Sequence, residues 1–120
     1  MRIAVPSDEG FDGNAVPFEK AESFAIAEVG PDGIKEIKVL KPEKNMEEEL
    51  KKEGVELVLA PEVSKELTLK LAQMGIKVLT GFSGKVKDVM TMALKSTVRD
   101  FLKAGLTMTK VGKKMMDRRL

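Results

Sequence analysis

The sequence contains no cysteine and no histidine, and tryptophan and tyrosine are absent as well. Without Cys or His there is no thiolate nucleophile, no disulfide and no imidazole general base, and the usual ligands of zinc, haem and iron-sulfur clusters are missing. Phe is the one aromatic type, and none occurs in the basic C-terminal stretch, so a base-stacking nucleic-acid surface is disfavoured. No apolar run approaches the roughly 20 residues of a membrane span, and the N-terminus shows no basic region followed by an apolar one. A cytoplasmic protein without an export signal or membrane contact is therefore expected. One Gln (Gln73) and two Asn (Asn14, Asn45) stand beside abundant Lys and Glu, a composition that leans toward thermophile proteins.

What is present is a globular composition. The 120 residues are 42% apolar and 33% charged, enough for one domain with one core and no sign of disorder. The net charge of +2 conceals an asymmetry, because residues 107–120 carry +4 and residues 1–106 carry −2. The basic tail also holds Met108, Met115 and Met116, adaptable apolar groups that suit a protein partner or a second copy of the chain.

The first stretch organises the rest. Arg2 to Val5 reads as a buried strand that should finish at Pro6, which has no N–H to donate. A polar loop follows, with Asp8, Glu9 and Asp12 set among Gly10 and Gly13. Phe24 to Val29 and Ile34 to Leu40 read as strands joined by the turn Gly30-Pro31-Asp32-Gly33, a hairpin. The alternation of the later strand slips at Glu36-Ile37, which predicts a bulge, and its lysines suit a sheet edge. Asn45 and Glu48 are spaced as a capping box for a short helix ending near Gly54. Val55 to Ala60 is nearly continuous in apolar residues, as a parallel strand covered on both faces requires. A helix from Val63 or Ser64 to Met74 buries Leu67, Leu71 and Met74, and Ile76 to Thr80 is a fifth strand. After Gly81-Phe82-Ser83-Gly84 comes the longest helix, with Val86, Val89, Met90, Ala93, Leu94, Val98, Phe101 and Leu102 on one face and Gly105 at its end. The order β-β-β-α-β-α-β-α defines a single α/β domain whose last two strands run parallel to the first.

Several of these segments carry a family resemblance. The opening IAVPSD, the downstream FAIAEV, Gly75-Ile76-Lys77-Val78 and Gly81-Phe82-Ser83-Gly84-Lys85-Val86 together resemble the dinitrogenase iron-molybdenum cofactor biosynthesis family. The resemblance covers about residues 1–106, which leaves 107–120 as a separate tail. It implies a ribonuclease H-like, three-layer α/β domain. Its five-stranded mixed sheet has order 3-2-1-4-5 with strand 2 antiparallel, and three main helices cover it. It also implies a non-enzymatic domain that binds or carries an iron-molybdenum or iron-sulfur precursor cluster. The family's His-Phe-Gly-Arg-Ala segment corresponds here to Pro17-Phe18-Glu19-Lys20-Ala21, so the His is lost. Soft or imidazole ligands for a cluster are consequently lacking.

In the open α/β arrangement, ligands bind at the carboxyl edge of the strands. Asp8, Asp12, Phe18, Lys20, Ser83 and Gly84 are the candidate ligand residues at that edge. Lys20 offers a point charge where the family offers a guanidinium, and an exposed lysine is its ordinary reading. The Gly81 to Gly84 turn leads into a helix N-terminus that favours anions, but it lacks the length and flanks of a P-loop and reads foremost as a turn. Asp8, Asp12 and Glu62 form a second, metal-dependent alternative, a Mg²⁺ nuclease or phosphoryl-transfer site using oxygen ligands. Against it, Asp is also favoured in turns for purely structural reasons.

Overall fold

The computed structural model describes residues 1–93. The expectations for Leu94, Val98, Phe101, Leu102, Gly105 and the tail 107–120 lie outside the described residues. Within them, the apolar succession that opens the chain forms β1 (Arg2–Ser7), buried from Ile3 onward at the centre of a five-stranded sheet. β2 (Ser23–Gly30) and β3 (Gly33–Leu40) form the hairpin, β4 (Leu57–Leu59) and β5 (Lys77–Leu79) lie on the other side, and the order is β3-β2-β1-β4-β5. β2 is antiparallel to both β1 and β3, while β4 is parallel to β1 and β5. The mixed sheet and its strand order are those the family resemblance implied.

β1 runs through Pro6 to Ser7 instead of ending there. Its pairing to β4 covers only Ile3 and Ala4, so the missing N–H of Pro6 breaks no bond on that side. β3 takes the outer position that its lysines suit, and the predicted bulge is present. Ile26 pairs with Lys38 and Ala27 with Glu36, which leaves Ile37 as the extra residue. The sequence requires it: Ile37 and Leu40, three apart, both pack on the same core cluster, which strict alternation would forbid.

Among the described residues three α-helices cover the sheet. α1 (Met46–Lys52) starts at Asn45, whose side chain accepts from the Glu48 N–H, and Gly54 follows it at φ 77°. α2 (Lys65–Gln73) is capped by Ser64 Oγ, which accepts from the Leu67 N–H, and Lys51 Nζ donates to the Met74 carbonyl at its end. α3 is described over Val86–Met92. Leu50 of α1 and Leu67 and Leu71 of α2 join Ala4, Phe24, Ile26 and Val58 on one face of the sheet. Val86, Val89 and Met90 of α3 join Ile3, Val5, Ala25 and Leu57 on the other. The helices thus make two outer layers around the sheet. Each fully buried Leu, Ile or Phe in these clusters contributes about 1.5–3 kcal/mol, and this burial fixes the sheet's carboxyl edge as a rigid platform.

Candidate functional site

At the carboxyl edge of β1, β4 and β5, three connecting segments meet. Two buried serines shape the first. Ser7 Oγ donates to the Gly10 carbonyl at 2.7 Å and accepts from the Glu9 N–H at 3.1 Å. Ser23 Oγ accepts from the Gly10 N–H at 3.0 Å and donates to the Ser7 carbonyl at 3.3 Å. Ser7 and Ser23 face each other across β1 and β2, so strand register places both hydroxyls under the loop. Asp8 Oδ1 then accepts from the Asn14 N–H at 2.8 Å, closing the loop on itself. Gly13 is required there by close approach: a Cβ would lie 2.2 Å from Asp8 Oδ1 and 2.5 Å from the Glu9 nitrogen.

The other segments are tied to the first through main chain. The Ala15 N–H donates to Gly84 O at 2.8 Å and the Val86 N–H to Gly13 O at 3.1 Å. The Phe18 N–H donates to Glu62 O at 3.0 Å, and the Phe82 N–H to Ala60 O at 3.2 Å. Glu19 Oε1 accepts from the Ser64 N–H at 3.4 Å, at the start of α2. Two open clefts result. The larger, about 540 Å³, is lined by Asp8, Glu9, Gly10, Glu22, Ser23, Val39 and Lys41. The smaller, about 310 Å³, is lined by Glu19, Pro61, Glu62, Val63, Ser64 and Thr80. Carboxylates outnumber ammonium groups in both.

The candidate residues divide among different environments. Asp8 stands on the rim of the larger cleft with one oxygen engaged by Asn14. The Asp12 side chain is 87% exposed and lies 3.4 Å from Lys87 Nζ. Lys20 is exposed in the short 3-10 turn Phe18–Lys20, and Ser83 and Gly84 are exposed in their turn. Phe18 faces the core. It is wholly buried, with its ring centroid 5.1 Å from that of Phe24, because a phenyl group beside the β2 start gains more from the core than from the cleft. The three carboxylates of the metal alternative are placed apart. Among the described residues no three acidic side chains gather where they could hold a metal ion. Asp8 borders one cleft and Glu62 the other, and Asp12 lines neither; Asp8 Oδ1 closes its own loop and the Asp12 carboxylate lies beside Lys87. Sequence reasoning missed Glu22, Val39 and Lys41. Their signal was the hairpin register: Leu40 pairs with Phe24, which brings the end of β3 beside the Ser7–Ser23 floor.

A family model described as dinitrogenase iron-molybdenum cofactor matches residues 1–96. The chain belongs to that family. Solved structures agree on the fold. The protein PH0822 is 22% identical, with TM-score 0.73, covering 78% of this chain and 90% of its own. A protein from Methanocaldococcus jannaschii, provisionally named a dinitrogenase, is 19% identical, with TM-score 0.67, covering 78% and 88%. A Thermotoga protein, provisionally named NifB and placed in the DUF35 family, is 22% identical, with TM-score 0.58, covering 73% and 82%. No curated protein matches. At these identities the likeness is one of fold.

The donor set of this iron-molybdenum cofactor family member does not fit an iron-molybdenum or iron-sulfur cluster as a directly ligated group. The clefts offer carboxylates, two serine hydroxyls, a threonine hydroxyl and a lysine amine. The whole sequence holds no thiolate or imidazole. Sulfide-bridged iron selects those softer donors over carboxylates.

Proposed function

We propose that this protein is a non-catalytic ligand-binding or carrier domain of the iron-molybdenum cofactor type, whose cargo is held by the loops at the sheet's carboxyl edge and keeps its own ligands. The observation that supports this reading is family membership over residues 1–96. The convergence of the 8–22, 60–64 and 80–85 segments supports the place. A carrier needs reversible contact and no reacting group. The chain has neither a Cys nor a His to act as nucleophile or base at neutral pH. The absence of a gathered acidic triad among the described residues weighs against the nuclease alternative.

The test is an anaerobic titration of the ¹⁵N-labelled protein with three separate probes: a thiol-capped four-iron four-sulfur cluster, ferrous iron and molybdate. Amide shifts or paramagnetic broadening are expected on the 8–22, 60–64 or 80–85 segments with at least one probe. With the cluster, the thiol caps should stay in place. If all three probes leave those amides unmoved, the carrier reading is wrong; if the caps are displaced, the cargo does not keep its own ligands.

For partners, the charge of residues 107–120 supports a docking role toward another protein or a second copy. Deleting them and comparing mass by light scattering tests the oligomer form of that reading: an unchanged mass removes it.

A further inference from the structure

We infer that the 8–15 loop and the first turn of α3 open and close as one cooperative unit, a strap over the end of β1. Gly13, Asn14 and Ala15 lie antiparallel to Gly84, Lys85 and Val86, with Asn14 bridged to Lys85. The two bonds run in opposite directions, Ala15 N–H to Gly84 O and Val86 N–H to Gly13 O. Val86 is also the first residue of α3, so its N–H is one that the helix itself leaves without a partner. The loop carbonyl satisfies it. The loop therefore cannot lift from α3 without exposing a helix donor, and α3 cannot fray at its start without releasing the loop.

Inside the loop the coupling continues. Gly13 fits against Asp8 and Glu9 with no room for a Cβ, and Asp8 Oδ1 holds the Asn14 N–H. Asp8 is in turn part of the rim of the larger cleft. The strap thus joins a cleft wall to the start of α3. A molecule that pressed against Asp8 or Glu9 would stabilise the closed strap and, by linkage, the first turn of α3. That consequence rests on the ligand-loop reading; the cooperative unit itself does not, and the experiment below uses no ligand.

The experiment is amide hydrogen exchange on the full-length protein and on Gly13→Ala, with Asp8→Ala as a second variant that perturbs only the exposed closing bond. The Ala15 and Val86 amides report the two sides of the strap. The Ala60 amide, bonded to Leu79 O on the neighbouring strands, is the control. Ala15 and Val86 are expected to share one protection factor in the parent and to lose it by the same factor, about tenfold or more, in either variant. Ala60 should keep its protection. Faster exchange at Ala15 with none at Val86 would show a loop that opens alone and would overturn the inference. Equal acceleration of all three amides would overturn it too, because only global unfolding would then be involved. If Gly13→Ala does not fold, Asp8→Ala carries the same comparison.

Discussion

Replacing Phe18 by Ala separates a core residue from a ligand residue. The ring is fully buried against Phe24, the two centroids are 5.1 Å apart and the planes are inclined by 56°. Truncating a buried Phe costs about 3–5 kcal/mol, of which the tilted ring pair accounts for about 0.5–1.5 kcal/mol. The main-chain bond from Phe18 to Glu62 O does not depend on the side chain and should persist. A domain of this size is stable by about 5–15 kcal/mol, so the variant should remain folded at room temperature. With a urea slope of about 1.5 kcal/mol per molar, its midpoint should fall by about 2–3 M at unchanged slope. Phe18→Leu should lose only about 1.5 kcal/mol, because most of the volume is kept. Urea unfolding followed by far-UV circular dichroism measures both. A loss below about 1 kcal/mol for Phe18→Ala would refute the placement of this ring in the core and return it to the list of ligand residues.

Other perturbations probe the loop and the far end of the sheet. Ser23→Ala leaves the buried Gly10 N–H without its acceptor and should cost about 1–3 kcal/mol in urea unfolding; a neutral result would mean that water replaces the hydroxyl. Gly10→Ala meets φ 60° and a Cβ position 2.9 Å from Val39 Cγ2, so about 1–2 kcal/mol is expected. The added Val39→Ala change should recover the steric part and leave the backbone part, and full recovery would show that the positive φ costs nothing here. Glu28 lies at the opposite end of β1 and β2, where a hydrogen bond from the Met1 ammonium, with Arg2 assisting, holds its carboxyl below the usual value of 4.5. Because the folded pKa is depressed, its contribution is present above 4.5 and is lost as the pH falls through the folded value. Glu28→Gln should therefore lower the urea midpoint slightly at pH 7 and hardly at all near pH 2, the side chain being 41% exposed and screened. Equal loss at both pH values would assign the effect to packing.

Much of the scaffold was legible because it rests on local chemistry. The slip at Glu36-Ile37 announced the bulge, Asn45 and Ser64 announced the helix starts, and the apolar run around Leu57 announced a strand covered on both faces. The site was less legible because it depends on non-local placement. Nothing in the Pro17-Phe18-Glu19 segment distinguishes a phenyl ring turned inward from one turned to a ligand, and only its position beside Phe24 decides it. Asp8 was readable as a turn former or as a ligand. Its bond to the Asn14 N–H shows the turn role, while its place on the cleft rim comes from strand register. Glu22 and Lys41 are 19 residues apart in sequence and meet in one cleft only because β2 and β3 fold back on each other.

The unpaired Ile37 acts as a phase shift in β3. Every residue after it sits on the side of the sheet opposite to the one that simple alternation would give, so Val39 and Lys41 reach the cleft by virtue of a residue that does not touch it. Straightening the bulge, so that Ile37 paired with Ile26, would exchange Leu40 and Val39 between faces and turn Lys38 to the core side of Ala25. The composition of the cleft is thus written in a spacing, one position long, on the outermost strand of the sheet.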